Sequence, residues 1–82
     1  PNPNKKYFKI SPNPFQTEIK IINPDYDNDI YYEIFDLNGR MVKSGISAVN
    51  KSIKIDNIMN GIYFIKIKFD NNVESHRIIK SS

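Results

Sequence analysis

GIYFIKIKF, residues 61–69, is the strongest strand signal in the chain. Tyr63, Ile65, Ile67 and Phe69 fall on one side of an extended chain, and Lys66 and Lys68 mark the other. A strict period of two belongs to a β-strand with one buried and one wet face. DNN (70–72) then turns the chain into VESHRIIK (73–80), so the two runs read as a hairpin. Its register stays open. A three-residue loop pairs Ile65 with Arg77, and a two-residue loop is expected to bring Ile78 opposite Ile65.

The same alternation extends outward along the chain. YFKI (7–10) reads as a short edge strand, and TEIKII (17–22) places Thr17, Ile19 and Ile21 on one face. IYYEIFD (30–36) does the same with Ile30, Tyr32 and Ile34, and SIKID with Ile53 and Ile55. PNPNKK (1–6) reads as a linker, NPDYDND (23–29) as a loop, ISAVN (46–50) as a connection and NIMNG (57–61) as a turn. Pro12 and Pro14 hold the residues before them in extended or turn geometry.

IFDLNGRMVKSG (34–45) allows a finer reading. A two-residue turn at Asn38-Gly39 would set Phe35 opposite Val42, moving Val42 away from the face of Ile30, Tyr32 and Ile34. A type I turn through Leu37 and Asn38, with Gly39 left-handed as a bulge, sets Asp36 across from Arg40 and Ile34 across from Val42. The second register is favoured because the apolar face stays continuous and the charges pair. Gly39 is then the residue that takes positive φ cheaply.

Composition agrees. The chain has 82 residues, a net charge of +3 and 39% hydrophobic content, which suits one small domain. Isoleucine and the aromatics carry the apolar material, whereas Ala and Leu occur once each, so strand formers outweigh helix formers. Six or seven short antiparallel strands with polar turns predict an all-β, small immunoglobulin-like β-sandwich. No cysteine is present to staple it. The lysines are scattered through the strand candidates, the pattern of solvated sheet faces and not of a nucleic-acid surface. No run approaches the ~20 apolar residues of a membrane helix. A chain that opens PNPNKK reads as a segment of a longer protein.

Little in the sequence points to catalysis. His76 is the single histidine, and no serine has a spaced partner that would activate it. Asp25, Asp27 and Asp29 stand two apart, like the start of a calcium loop, yet lack its central glycine and closing glutamate; a solvated acidic turn is the simpler reading. No phosphate-cradling loop or metal-spaced histidine pair occurs, so no cofactor and no enzymatic activity are expected. Tyr7, Phe8, Phe15, Tyr31 and Phe64 are candidates for an exposed aromatic platform, which makes a carbohydrate- or protein-binding module of an extracellular enzyme the alternative reading.

Four segments taken in order are more specific than any of these: SPNPF (11–15), IFDLNGRMV (34–42), IDNIMNGIYFIKI (55–67) and RIIK (77–80). Together they resemble the C-terminal sorting domain of the type IX secretion system of Bacteroidetes-type bacteria, in its type A form. The likeness runs from about Phe8 to Lys80, so the chain divides into a linker over 1–6 and a sorting domain over 7–82. The resemblance maps the family's boxes onto Pro12, Asn13 and Pro14; Asp36, Gly39 and Arg40; Gly61, Ile62 and Tyr63; and Ile79 with Lys80. It implies a non-catalytic tag on a carrier protein fused upstream. The outer-membrane translocation machinery would read it in the periplasm, and a sortase-like peptidase would remove it in or before Pro1–Lys9. The carrier would end at the cell surface or outside the cell. Gly39 and Gly61 are expected to be conformational, Asp36 and Arg40 to join a hairpin, and Ile79 and Lys80 to be recognition elements on a terminal strand open to edge pairing.

Overall fold

The structure, a computed structural model, describes residues 6–81. The linker therefore lies, apart from Lys6, outside the described residues. Seven strands form two sheets: β1 (Lys9–Ser11), β2 (Glu18–Ile22) and β5 (Ser52–Lys54) in the order β1-β2-β5, and β3 (Asp29–Phe35), β4 (Met41–Ala48), β6 (Gly61–Phe69) and β7 (Asn72–Lys80) in the order β4-β3-β6-β7. Every strand pair is antiparallel, and the chain is a small immunoglobulin-like sandwich.

The core lies where the inward faces meet. Ile10, Ile19, Ile21, Ile53 and Ile55 come from the smaller sheet and its margins, and Ile30, Tyr32, Ile34, Tyr63, Ile65, Ile67 and Ile78 from the larger. Six of these isoleucines have no measurable exposure (19, 34, 55, 65, 67 and 78). Each fully buried isoleucine contributes about 1.5–3 kcal/mol relative to exposure. The expected faces of β2, β3, β5 and β6 are thus present, with Phe69 half-buried at the end of its row and Thr17 exposed just ahead of β2.

Three local expectations need correction. First, the β6–β7 turn has two residues, Asp70 and Asn71, both left-handed (φ 47° and 64°), as a two-residue hairpin with matching twist requires. Phe69 then pairs with Asn72, and counting back along the ladder brings Ile65 to His76 and Tyr63 to Ile78; neither anticipated partner of Ile65 is correct. Second, Ile46–Ala48 are not a connection. They continue β4 beside Asp29–Tyr31, and only Val49 leaves the strand to enter the core. The alternation fades there because β4 is an edge whose inward positions are Lys43, Gly45 and Ser47, with the Tyr32 ring filling the space over Gly45. Third, a bulge shifts the β3–β4 register so that Phe35 faces Met41 but Ile34 faces Lys43, not Val42. Val42 is the extra residue and still packs against the core.

Candidate recognition surface

The hairpin that carries Asp36, Gly39 and Arg40 is built around one carboxylate. Gly39 N–H donates to the Asp36 carbonyl (3.0 Å) and Asp36 N–H to the Arg40 carbonyl (2.9 Å), the pattern of a type I turn closed by a bulge. Gly39 has φ +81°. Asp36 Oδ1 accepts the amides of Asn38 (2.9 Å) and Arg40 (3.0 Å), and Oδ2 accepts Arg40 Nε (3.2 Å). The Arg40 backbone hydrogen bond, with the Asn38 amide and the Arg40 charge behind it, holds the Asp36 carboxyl below its ordinary pKa against the opposing effect of burial. Asp36 therefore organises the turn. The Arg40 side chain stays 79% exposed.

Across a shallow open groove lies the loop that leads into β6. Leu37 and Arg40 line one bank, Met59 and Ile62 the other. The buried Tyr63 ring ties this loop down by donating its hydroxyl to the Met59 carbonyl at 2.6 Å. Asn57 is left-handed (φ 63°), and Gly61 has φ +151°, a conformation side-chain-bearing residues rarely adopt. Leu37 and Met59 are left 65% and 83% exposed on the facing banks.

The remaining motif residues join this end of the molecule through β7. Gly61 pairs with Lys80 and Ile62 with Ile79. On the outer edge of β7, Asn13 Nδ2 donates to the Arg77 carbonyl (2.9 Å) and Asn13 Oδ1 accepts Ile79 N–H (3.0 Å). Phe15 continues the contact as a parallel bridge: its N–H donates to the Ile79 carbonyl and its carbonyl accepts Ser81 N–H, both at 2.9 Å. Pro12 and Pro14, each after a cis peptide bond, flank Asn13. Asn13 thus serves as a short side-chain substitute for a neighbouring strand, and the Phe15 ring is fully buried.

This arrangement corrects one part of the expectation, that the terminal strand is open to edge pairing at its end. Over Arg77–Ser81 the outer edge is already in use, and Ile79 and Lys80 are half-buried members of a ladder, not a free terminus. Of the outward face of the larger sheet, sequence reasoning named only half-buried Tyr31 and exposed Phe64 as platform candidates, and missed their neighbours. Met41, Phe35, Phe64 and Arg77 form one cross-strand row, with Ile62 and Ile79 in the next. Lys66 Nζ stands 5.3 Å from the Phe35 ring. The signal was present in β6, where Ile62 and Phe64 occupy the wet register of Lys66 and Lys68.

Of the other candidates, Asp25, Asp27 and Asp29 are exposed, and among the described residues no three acidic, histidine or cysteine side chains gather as a metal site. His76 pairs with Glu74 at 2.6 Å. Phe8 and Phe15 are buried. Phe8 packs edge-to-face with Tyr7, Tyr26 and Phe69, so its ring belongs to an interlocked cluster and not to a flat platform.

The family model for the secretion system C-terminal sorting domain matches residues 1–81. This chain belongs to the type IX secretion C-terminal sorting domain family. The sorting domain accordingly acts with the type IX system, on a carrier fused upstream, and directs that carrier to the cell surface or beyond it. No curated protein matches the sorting domain significantly.

Proposed function

We propose that this sorting domain is a non-catalytic, folded export signal that the outer-membrane machinery reads in the periplasm, and that a sortase-like peptidase then removes it. The observation that carries the reading is the meeting of Asn13, Asp36–Arg40, Gly61–Tyr63 and Ile79–Lys80 at one end of the sandwich, although they are spread over most of the sequence. Strands and turns can be stabilised anywhere; gathering the motifs beside exposed Leu37, Arg40, Met59 and Phe64 supports a surface that a partner reads. A docked partner would cover apolar side chains on a rigid frame, and the exposed Arg40 side chain would set orientation.

The test fuses residues 1–82 to a periplasm-targeted fluorescent protein in a bacterium that carries the type IX system. Fluorescence should reach the surface or the medium, and should stay in the periplasm when the translocon is deleted. Retention in both strains, or release in both, would count against the proposal. Truncation before Ile78 is a poor alternative, because it deletes a fully buried core residue along with the partner of Phe15.

A further inference from the structure

Lys6, Tyr7 and Phe8 precede the first strand, yet β7 holds them. The carboxylate of Glu74 accepts Tyr7 N–H on Oε1 (2.7 Å) and Phe8 N–H on Oε2 (2.9 Å). His76 Nε2 lies 2.6 Å from the same Oε2, and the side chains of Glu74 and His76 are only 9% and 15% exposed. An ionised carboxylate has about four acceptor positions, so all three contacts are accommodated. Hydrogen bonds from amides to a charged oxygen are roughly twice as strong as neutral ones. Lys6 Nζ donates to the Ser75 carbonyl (2.9 Å), and Asn23 Nδ2 to the Tyr7 carbonyl (3.0 Å). The rings complete the attachment: Tyr7 stacks on Phe69 at 5.3 Å, and Phe8 is 3% exposed.

A peptidase that takes its substrate as an added strand needs free backbone donors and acceptors. Along Tyr7–Phe8 both amides and the Tyr7 carbonyl are already bound to side chains. We propose that Glu74, backed by His76, is a clamp that sets the boundary between the cleavable linker and the protease-resistant sorting domain. Bonds from Lys6–Tyr7 onward are closed to peptidases, and removal takes place on the N-terminal side of Lys6. The biological role rests on the removal proposed above; the clamp itself does not.

Chymotrypsin under native conditions tests the clamp in the 82-residue chain, with cut sites mapped by mass spectrometry. Cleavage after Tyr7 or Phe8 reports the clamp, and cleavage after Tyr63 or Phe64 reports global unfolding. In Glu74→Ala the first rate should rise about tenfold, the change given by about 1.4 kcal/mol in local opening, while the second stays put. Glu74→Gln retains one acceptor oxygen and should fall between. Cleavage of the unaltered chain after Tyr7 or Phe8 as fast as in urea, no change in either variant, or an equal rise at both places in both variants would overturn the clamp. In a secreting host, the boundary of the released domain should map upstream of Lys6, and a boundary inside Tyr7–Ile10 would overturn it too. Absence of any processing there counts against the peptidase reading, and the chymotrypsin result then decides on the clamp alone.

Discussion

The side chain of Asn13 closes the edge of the last strand at Ile79: its Oδ1 accepts the Ile79 amide at 3.0 Å while its Nδ2 donates to the Arg77 carbonyl at 2.9 Å. One side-chain amide thereby replaces one residue of a missing strand, and Phe15 supplies the next by main-chain bonds. Both atoms of the amide are needed. Asn13→Ala should lower stability by about 0.5–1.5 kcal/mol, the net worth of a typical hydrogen bond. Asn13→Asp should cost more, because a second acceptor would then face the Arg77 carbonyl. Urea unfolding of the two variants gives the order; an Asp variant as stable as the parent chain would exclude the bridge.

A Cβ added at Gly39 would meet no other residue within 4 Å, so a methyl there meets only backbone strain. Gly39→Ala should cost about 1–2 kcal/mol for holding a non-glycine residue left-handed. Gly39→Asn should cost less, since asparagine visits that region more readily. Equal stabilities for all three would mean that the turn rearranges.

Gly45 is constrained by space and not by φ. A Cβ at this position would sit 3.0 Å from the hydroxyl and 3.2 Å from the adjoining ring carbon of Tyr32, which is itself buried. Gly45→Ala should therefore destabilise the domain by about 1–3 kcal/mol through overpacking. Pairing it with Tyr32→Phe should recover part of the loss, and a double-mutant cycle measures that coupling.

Asp36 gives the hairpin a defined acid response. Its folded pKa is lowered, first by the Arg40 amide, so its contribution is complete above the ordinary carboxylate value and fades as pH falls through the lowered one. The stability difference between the parent chain and Asp36→Asn should accordingly narrow on acidification. A difference that stays constant from neutral pH to strongly acidic conditions would remove the carboxylate from the account.

Arg40 separates folding from recognition. Asp36 is organised mainly by the backbone amide of Arg40, which Arg40→Ala retains, and an exposed ion pair is worth about 0–1 kcal/mol. The variant should stay folded and lose export of the fluorescent reporter. Unimpaired export would confine Arg40 to the hairpin.

Local chemistry determined much of this protein. Alternation in residues 61–69, 17–22 and 30–36 marked strands and their buried faces, because a period of two puts one side of each strand toward the core whatever it packs against. Asp36 and Gly39 specified their turn because its hydrogen bonds close within five residues. The order of the four motifs was legible as a family likeness without any geometry.

Long-range contacts settle what local pattern leaves open. Asn13 meets Ile79, and Glu74 meets Tyr7 and Phe8, across separations of more than 60 residues. No periodicity encodes such contacts; they exist only once two sheets have stacked and brought distant edges together. The bulge at Val42 and the extension of β4 through Ala48 depend on a partner strand's backbone, not on side-chain pattern. Strand faces, the Asp36–Gly39 turn and kinship were legible in local sequence alone. Which edge is closed, and where the motifs meet, was decided by packing, because burying the isoleucine faces is what fixes how the sheets lie on one another.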